Sequence, residues 1–215
     1  MTVNKKILLT VVLCVSFAAL VLAGFTHRLT KPRMLTDYEL RQYGAMMLKT
    51  PRQFSDFEFT DHRGNRFTQQ NLLGKWTLIF FGFSHCPDIC PTALAELNKV
   101  IAPLKDKEKE NLQVAMLSVD PERDTVEKLA QYMPYFNEDF IGLTGDAFQL
   151  LSVATQLGVV YTKVPLAGGD YTIDHSGNIV IINPRGHYHG FFRPPFEEGS
   201  MRVSLRSLMY SFDDY

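Results

Sequence analysis

The stretch 76–81 (WTLIFF) is apolar at every position but one, as a strand buried on both faces should be. Such a strand needs a covering layer on each side, which confines the chain to folds that pack helices against a sheet. The residues that follow keep to that plan. After Gly82-Phe83-Ser84-His85 comes Cys86-Pro87-Asp88-Ile89-Cys90, then a helical pattern over 91–104. Residues 114–119 (VAMLSV) predict a second buried strand and 125–133 a second helix, followed by a short strand over 140–143 and a helix over 147–157. The turn signal Gly177-Asn178 precedes a strand over 179–182 (IVII), 188–192 can pair with it, and 197–212 has a helical pattern. Two alternating segments, 57–60 and 66–68, flank a glycine-containing turn and predict a β-hairpin at the start. The expectation is an α/β layered fold with crossover connections, its topology not set by pattern alone.

The stretch 7–25 (ILLTVVLCVSFAALVLAGF) carries no charge, and its nineteen residues span roughly 28 Å as a helix, close to a bilayer hydrocarbon core. Lys5 and Lys6 precede it; His27, Arg28, Lys31 and Arg33 follow. Both flanks are therefore basic, although a positive cluster before the first apolar segment favours export of the remainder. A cleavable signal peptide would use the small residues around Val21-Leu22-Ala23, but the run is longer than a usual signal core. A lipoprotein would need a cysteine where Phe25 stands. The chain thus reads as a tail (1–6), an uncleaved transmembrane anchor (7–25), a tether (26–50) and a folded domain (51–215). Within the tether, Thr36 or Asp37 caps a short helix running toward Leu48, and Pro51 marks the boundary.

A formal net charge of -1 gives no global reason to expect a nucleic-acid partner. Three cysteines are present, and Cys14 lies within the anchor as an apolar residue, leaving Cys86 and Cys90 as one close pair. One pair is too few for a stapled mini-domain, and a domain of this size does not need a staple. The pair is therefore to be judged on its chemistry.

That pair sits between a buried strand and a helix, where open α/β sheets bind ligands. Pro91 suits the first helical position, and a helix N-terminus stabilises thiolates, the form required for both metal binding and disulfide exchange. Two thiolates and one imidazole suit copper, whereas structural zinc normally takes four protein ligands and there is no second cysteine pair. An inert disulfide or two buried thiols is the plainer alternative. His175, in the loop Asp174-His175-Ser176-Gly177-Asn178, is a candidate ligand, though a lone loop histidine is more often simply exposed. His187 and His189, two apart on a strand, are the rivals; His85 is placed to shape the cysteine loop, and His62 reads as a turn residue. Asp120 fits either a place near the site or a turn, with Asp124 as the cap of the helix that follows.

The stretch Phe80-Phe81-Gly82-Phe83-Ser84-His85-Cys86-Pro87-Asp88-Ile89-Cys90-Pro91-Thr92 resembles the signature of the Sco (SenC/PrrC) family. So do Ser118-Val119-Asp120-Pro121-Glu122-Arg123-Asp124-Thr125 and the Asp174-His175-Ser176 loop, in the same order and spacing. The likeness runs from about Phe54 to the last helix. It implies a thioredoxin-like fold with an added N-terminal hairpin, and one copper ion, Cu(I) or Cu(II), on Cys86, Cys90 and His175. Asp120, His85 and Asp88 would lie around the ion or meet a partner. The implied role is a copper chaperone rather than an enzyme. It would deliver copper, or reducing equivalents, to the binuclear copper centre of cytochrome c oxidase subunit II, with another copper chaperone or a thiol reductant as a further partner. The implied setting, with so short a tether and no transit-peptide composition, is a bacterial inner membrane crossed once, with the domain in the periplasm. The competing reading is a thiol-disulfide oxidoreductase using Cys86 and Cys90 without metal. Against it, thioredoxins carry C-x-x-C, usually after Trp, and here there is one residue more and His85. A thiol peroxidase fits less well still, since Phe83 stands where peroxiredoxins have Thr.

Overall fold

The computed structural model describes residues 4–30 and 33–212. It opens with helix α1 (Lys5–Thr30), whose segment Ile7–Thr26 is long and apolar enough to cross a membrane and is uncovered by the other described residues. A short helix α2 (Asp37–Gln42) follows, with Thr36 as its cap in a reciprocal pair with Glu39. The helix stops well short of Leu48. Gly44, at φ 78°, turns the chain into strand β1 (Ala45–Arg52).

Strand β1 joins an eight-stranded mixed sheet together with β2 (Glu58–Asp61), β3 (Arg66–Thr68), β4 (Trp76–Gly82), β5 (Leu112–Ser118), β6 (Ile141–Thr144), β9 (Ile179–Ile182) and β10 (Tyr188–Phe192). Their order is β1-β10-β9-β4-β5-β6-β2-β3. Residues 45–50, assigned to the tether by the sequence reading, are thus strand in the main sheet. Gly190 makes that pairing possible, because a Cβ there would collide with the Met46 carbonyl oxygen and the Met47 side chain. Helices α3 (Ile89–Ile101), α5 (Val126–Tyr132), α6 (Ala147–Gln156) and α7 (Glu198–Phe212) complete the layers, with a single turn α4 (Asp106–Glu110) before β5.

The block β10-β9-β4-β5, with α3 crossing between the parallel pair β4 and β5 and α7 closing the chain, is the thioredoxin-like core. The hairpin β2–β3 is added at the far edge, where β2 pairs with β6. All seven residues of β4 are buried, as its apolar run demands. Phe80, Phe81, Leu78, Leu94, Leu97, Met116 and Leu117 are among the largest fully buried side chains. Each contributes roughly 1.5–3 kcal/mol by leaving water.

Register decides what meets at the sheet's edge. Gly82 pairs with Ser118, so the loops leaving β4 and β5 emerge side by side. Strand β9 runs antiparallel with Ile179 opposite Phe80, so the residues entering β9 arrive at that same end. Those residues come from an element that sequence reading missed. Strands β7 (Tyr161–Pro165) and β8 (Tyr171–His175) form a separate two-stranded sheet.

Candidate metal centre

Helix α3 begins at Ile89, two residues earlier than expected, with Asp88 at its N-cap and Pro91 still inside the first turn, where a missing N–H costs nothing. Asp88 is exposed and makes no side-chain cap. The sulfur of Cys86 takes that role instead: the Cys90 amide donates to Cys86 Sγ at 3.3 Å. Cys90 itself is fully buried in the helix's first turn, and Cys86 is half-buried at the rim. Both are free thiols. Gly82 permits the close approach, since a Cβ there would lie 3.2 Å from Cys90 Sγ and 2.6 Å from the Phe80 ring.

His175 ends β8 rather than lying in a loop, and its Nε2 stands 3.4 Å from Cys90 Sγ. Its Nδ1 lies 3.1 Å from the Ser176 carbonyl, which leaves Nε2 as the ring nitrogen that faces the sulfurs. Phe80 and Phe83 meet the ring edge-on, with centroids 5.8 and 6.0 Å away, and fix its plane. The donor atoms of Cys86, Cys90 and His175 all lie within 4.8 Å of one another. Two soft sulfurs and one imidazole nitrogen, half shielded from water, form a donor set that fits a thiophilic ion such as Cu(I).

The sulfurs are electrostatically unequal. The Cys86 thiol is pulled down to about 4, chiefly by a hydrogen bond from Cys90; burial opposes this, and His175 and the amides of Asp88 and Cys90 reinforce it. Cys90 is pushed up, first because it gives that hydrogen bond and then by burial. The rim sulfur is therefore the one favoured as thiolate.

The turn after β5 contributes residues that sequence reading placed differently. Asp124 is not the helix cap; Thr125 is, its side chain accepting from the Lys128 amide. Asp124 is fully buried and accepts from the Ser84 amide at 3.0 Å, the Ser84 hydroxyl at 2.5 Å and the Ser118 hydroxyl at 2.6 Å, tying the cysteine loop to β5. Asp120 is equally buried, pairs with Arg123 and accepts from the Tyr171 hydroxyl at 2.8 Å. The signal for this was present as an acidic and a basic residue three apart, Asp120 and Arg123, directly after a buried strand.

The other histidines lie elsewhere. His85 is partly exposed, beside the Ser84 hydroxyl at 3.1 Å and Asp124 at 3.9 Å. His189 packs edge-on against Trp76, at the opposite end of β4 from the cysteines, and His187 lies 3.3 Å from Gln53. His62 is buried and accepts from the Gly142 amide at 3.0 Å, and burial lowers its pKa.

Comparison with known proteins agrees with this geometry. Residues 46–210 match the family model described as SCO1/SenC. A putative copper-binding protein of Stutzerimonas stutzeri is 36% identical over 177 residues, 81% of this chain and 87% of that protein. The mitochondrial SCO2 homolog of Danio rerio is 37% identical over 159 residues, 73% of this chain but 57% of the relative, so the chain spans little more than half of that protein. Among solved structures, copper-bound ScoI of Arabidopsis thaliana superposes with a TM-score of 0.68 at 34% identity, covering 73% of this chain and 98% of that one. Copper-bound ScoI of Bradyrhizobium japonicum gives 0.66 at 36% identity, covering 71% and 97%. With a family match across most of its length, and the motif residues meeting at one point, the chain belongs to the SCO1/SenC family.

Proposed function

We propose that the chain is a membrane-anchored copper carrier that holds one copper ion through Cys86, Cys90 and His175. The observation that carries this reading is the convergence of those three donor atoms within 4.8 Å at the carboxyl end of β4. The copper-bound states of the Arabidopsis and Bradyrhizobium relatives support it. The acceptor we propose is cytochrome c oxidase, at the binuclear copper centre of subunit II, following the role that the Sco resemblance implies. The anchor would be α1, crossing a bacterial inner membrane once and leaving the domain in the periplasm.

The burial pattern suggests how copper is passed on. Cys90 is enclosed and Cys86 lies at the rim, so an incoming thiolate or imidazole can replace Cys86 or His175 first while Cys90 keeps hold of the ion. Stepwise exchange of this kind releases no free copper. A shared membrane raises the effective concentration of a membrane-bound acceptor. Asp88 and His85, both exposed beside the cysteines, are placed to meet that acceptor.

One observation favours a second reading. A rim cysteine with a lowered pKa beside a buried partner is the asymmetry that a thiol-disulfide oxidoreductase needs. Anaerobic copper titration of the reduced protein, run beside a disulfide-reductase assay, separates the two. One retained copper per chain with negligible turnover is the expected result; rapid turnover without retained copper would transfer the assignment to the oxidoreductase.

A further inference from the structure

The hairpin carrying His175 is hydrogen-bonded as its own two-stranded sheet and, among the described residues, has no ladder to the eight-stranded one. Something else must hold its histidine over the thiols. The geometry points to Arg123 as the positioning residue that does so, clasping the hairpin at Tyr171 and thereby keeping His175 on the copper. This inference rests on the copper reading above.

Three observations converge on Arg123. Its guanidinium lies 3.8 Å from the Tyr171 ring centroid, and its Nη1 donates to the Tyr171 carbonyl at 3.1 Å and to Asp170 at 3.2 Å. The same guanidinium pairs through Nε with the buried Asp120, which also receives the Tyr171 hydroxyl. It stands 5.9 Å from the Phe83 ring, which in turn meets the His175 ring edge-on. Arg123 thus reaches the histidine by two routes, along β8 and through Phe83. One turn of chain, from Asp120 to Asp124, holds both halves of the donor set, because Asp124 fastens Ser84 on the cysteine loop while Arg123 fastens the hairpin. The neighbouring Lys163–Glu122 pair, at 2.7 Å, also bridges the hairpin to this turn, but it is solvent-exposed and worth little.

The test uses the full chain in detergent micelles, loaded with Cu(II) for absorption and electron paramagnetic resonance and with Cu(I) for competition against a chelator. Variants are Arg123→Met, Arg123→Lys, Tyr171→Leu and the reference His175→Ala. Arg123→Met and Tyr171→Leu should lose the nitrogen hyperfine signal and take on the spectrum of His175→Ala. Their Cu(I) should pass to the chelator about tenfold more readily, the usual scale for losing the support of a ligand. Adding Arg123→Met to His175→Ala should change nothing further, and Arg123→Lys should recover part of the signal. A wild-type spectrum from folded Arg123→Met, where His175→Ala is altered, overturns the proposal, as does additivity in the double variant. Should Arg123→Met fail to fold by circular dichroism, Tyr171→Leu decides in the same way. A wild-type chain that retains no copper, or a His175→Ala spectrum identical to wild type, overturns the copper reading itself and is recognised before any Arg123 variant is compared.

Discussion

The two cysteines lie four residues apart, yet depth and hydrogen bonding make them chemically distinct. Cys86 is lowered by the Cys90 thiol, by His175 and by two backbone amides, whereas Cys90 is raised because it gives that hydrogen bond and is buried. The sign of the consequence is direct. With its pKa lowered to about 4, Cys86 remains a thiolate far below the range of about 8.5 in which an ordinary cysteine loses its proton. Iodoacetamide should therefore modify Cys86 in the copper-free chain at pH values of about 5–6, with the rate falling only as pH approaches about 4. Cys90 should stay unmodified until the protein is denatured. Site-resolved mass spectrometry against pH checks both statements, and a rate midpoint near the ordinary thiol range would contradict them.

The elements bring distant residues to one point through sheet register. Because β9 starts beside the end of β4, and β5 ends beside it, three loops meet where the cysteines are. Strand β1 stabilises the other flank by covering β10, which depends on the missing side chain at Gly190. Gly190→Ala should cost about 1–3 kcal/mol in urea unfolding, the usual penalty for a side chain without room. In hydrogen exchange it should selectively unprotect 45–52. Much of this frame was legible in the sequence: the buried strands, the crossover helices and the first hairpin each carried their own periodicity. Strand β1 was not, because Met46-Met47-Leu48-Lys49 has no strict alternation and continues the pattern of α2; only tertiary pairing with β10 makes it a strand. The β7–β8 hairpin was hidden for a related reason. Most of its residues are exposed, so it has no apolar face to announce it, and Pro165 argues against a strand. His175 was thereby placed in a loop, and the motif rather than the pattern singled it out. Asp124 read as a cap because its role, receiving Ser84 and Ser118, depends on a loop forty residues away and a strand end six residues away.

As a whole, the molecule joins an uncovered apolar helix to a domain that begins earlier than its composition suggested. Leu40 is buried, and the Leu35 amide donates to Ser207 on α7 at 2.8 Å, so the segment before β1 is fastened to the domain. A chain starting at residue 34 should keep the thermal stability of the full domain. One starting at residue 51 loses most of β1 and the burial of Leu40, and should be destabilised by about 3–5 kcal/mol on the scale of a few buried apolar side chains. Thermal and urea unfolding of the two truncations measure the difference. The central claim, that two sulfurs and one ring nitrogen take the same copper ion, is tested most directly by X-ray absorption of the Cu(I)-loaded full chain beside His175→Ala. The account predicts two sulfur neighbours and one nitrogen in the wild type, with the nitrogen gone from the variant. A copper shell that the substitution leaves unchanged, or a wild-type chain that keeps no copper, would contradict it.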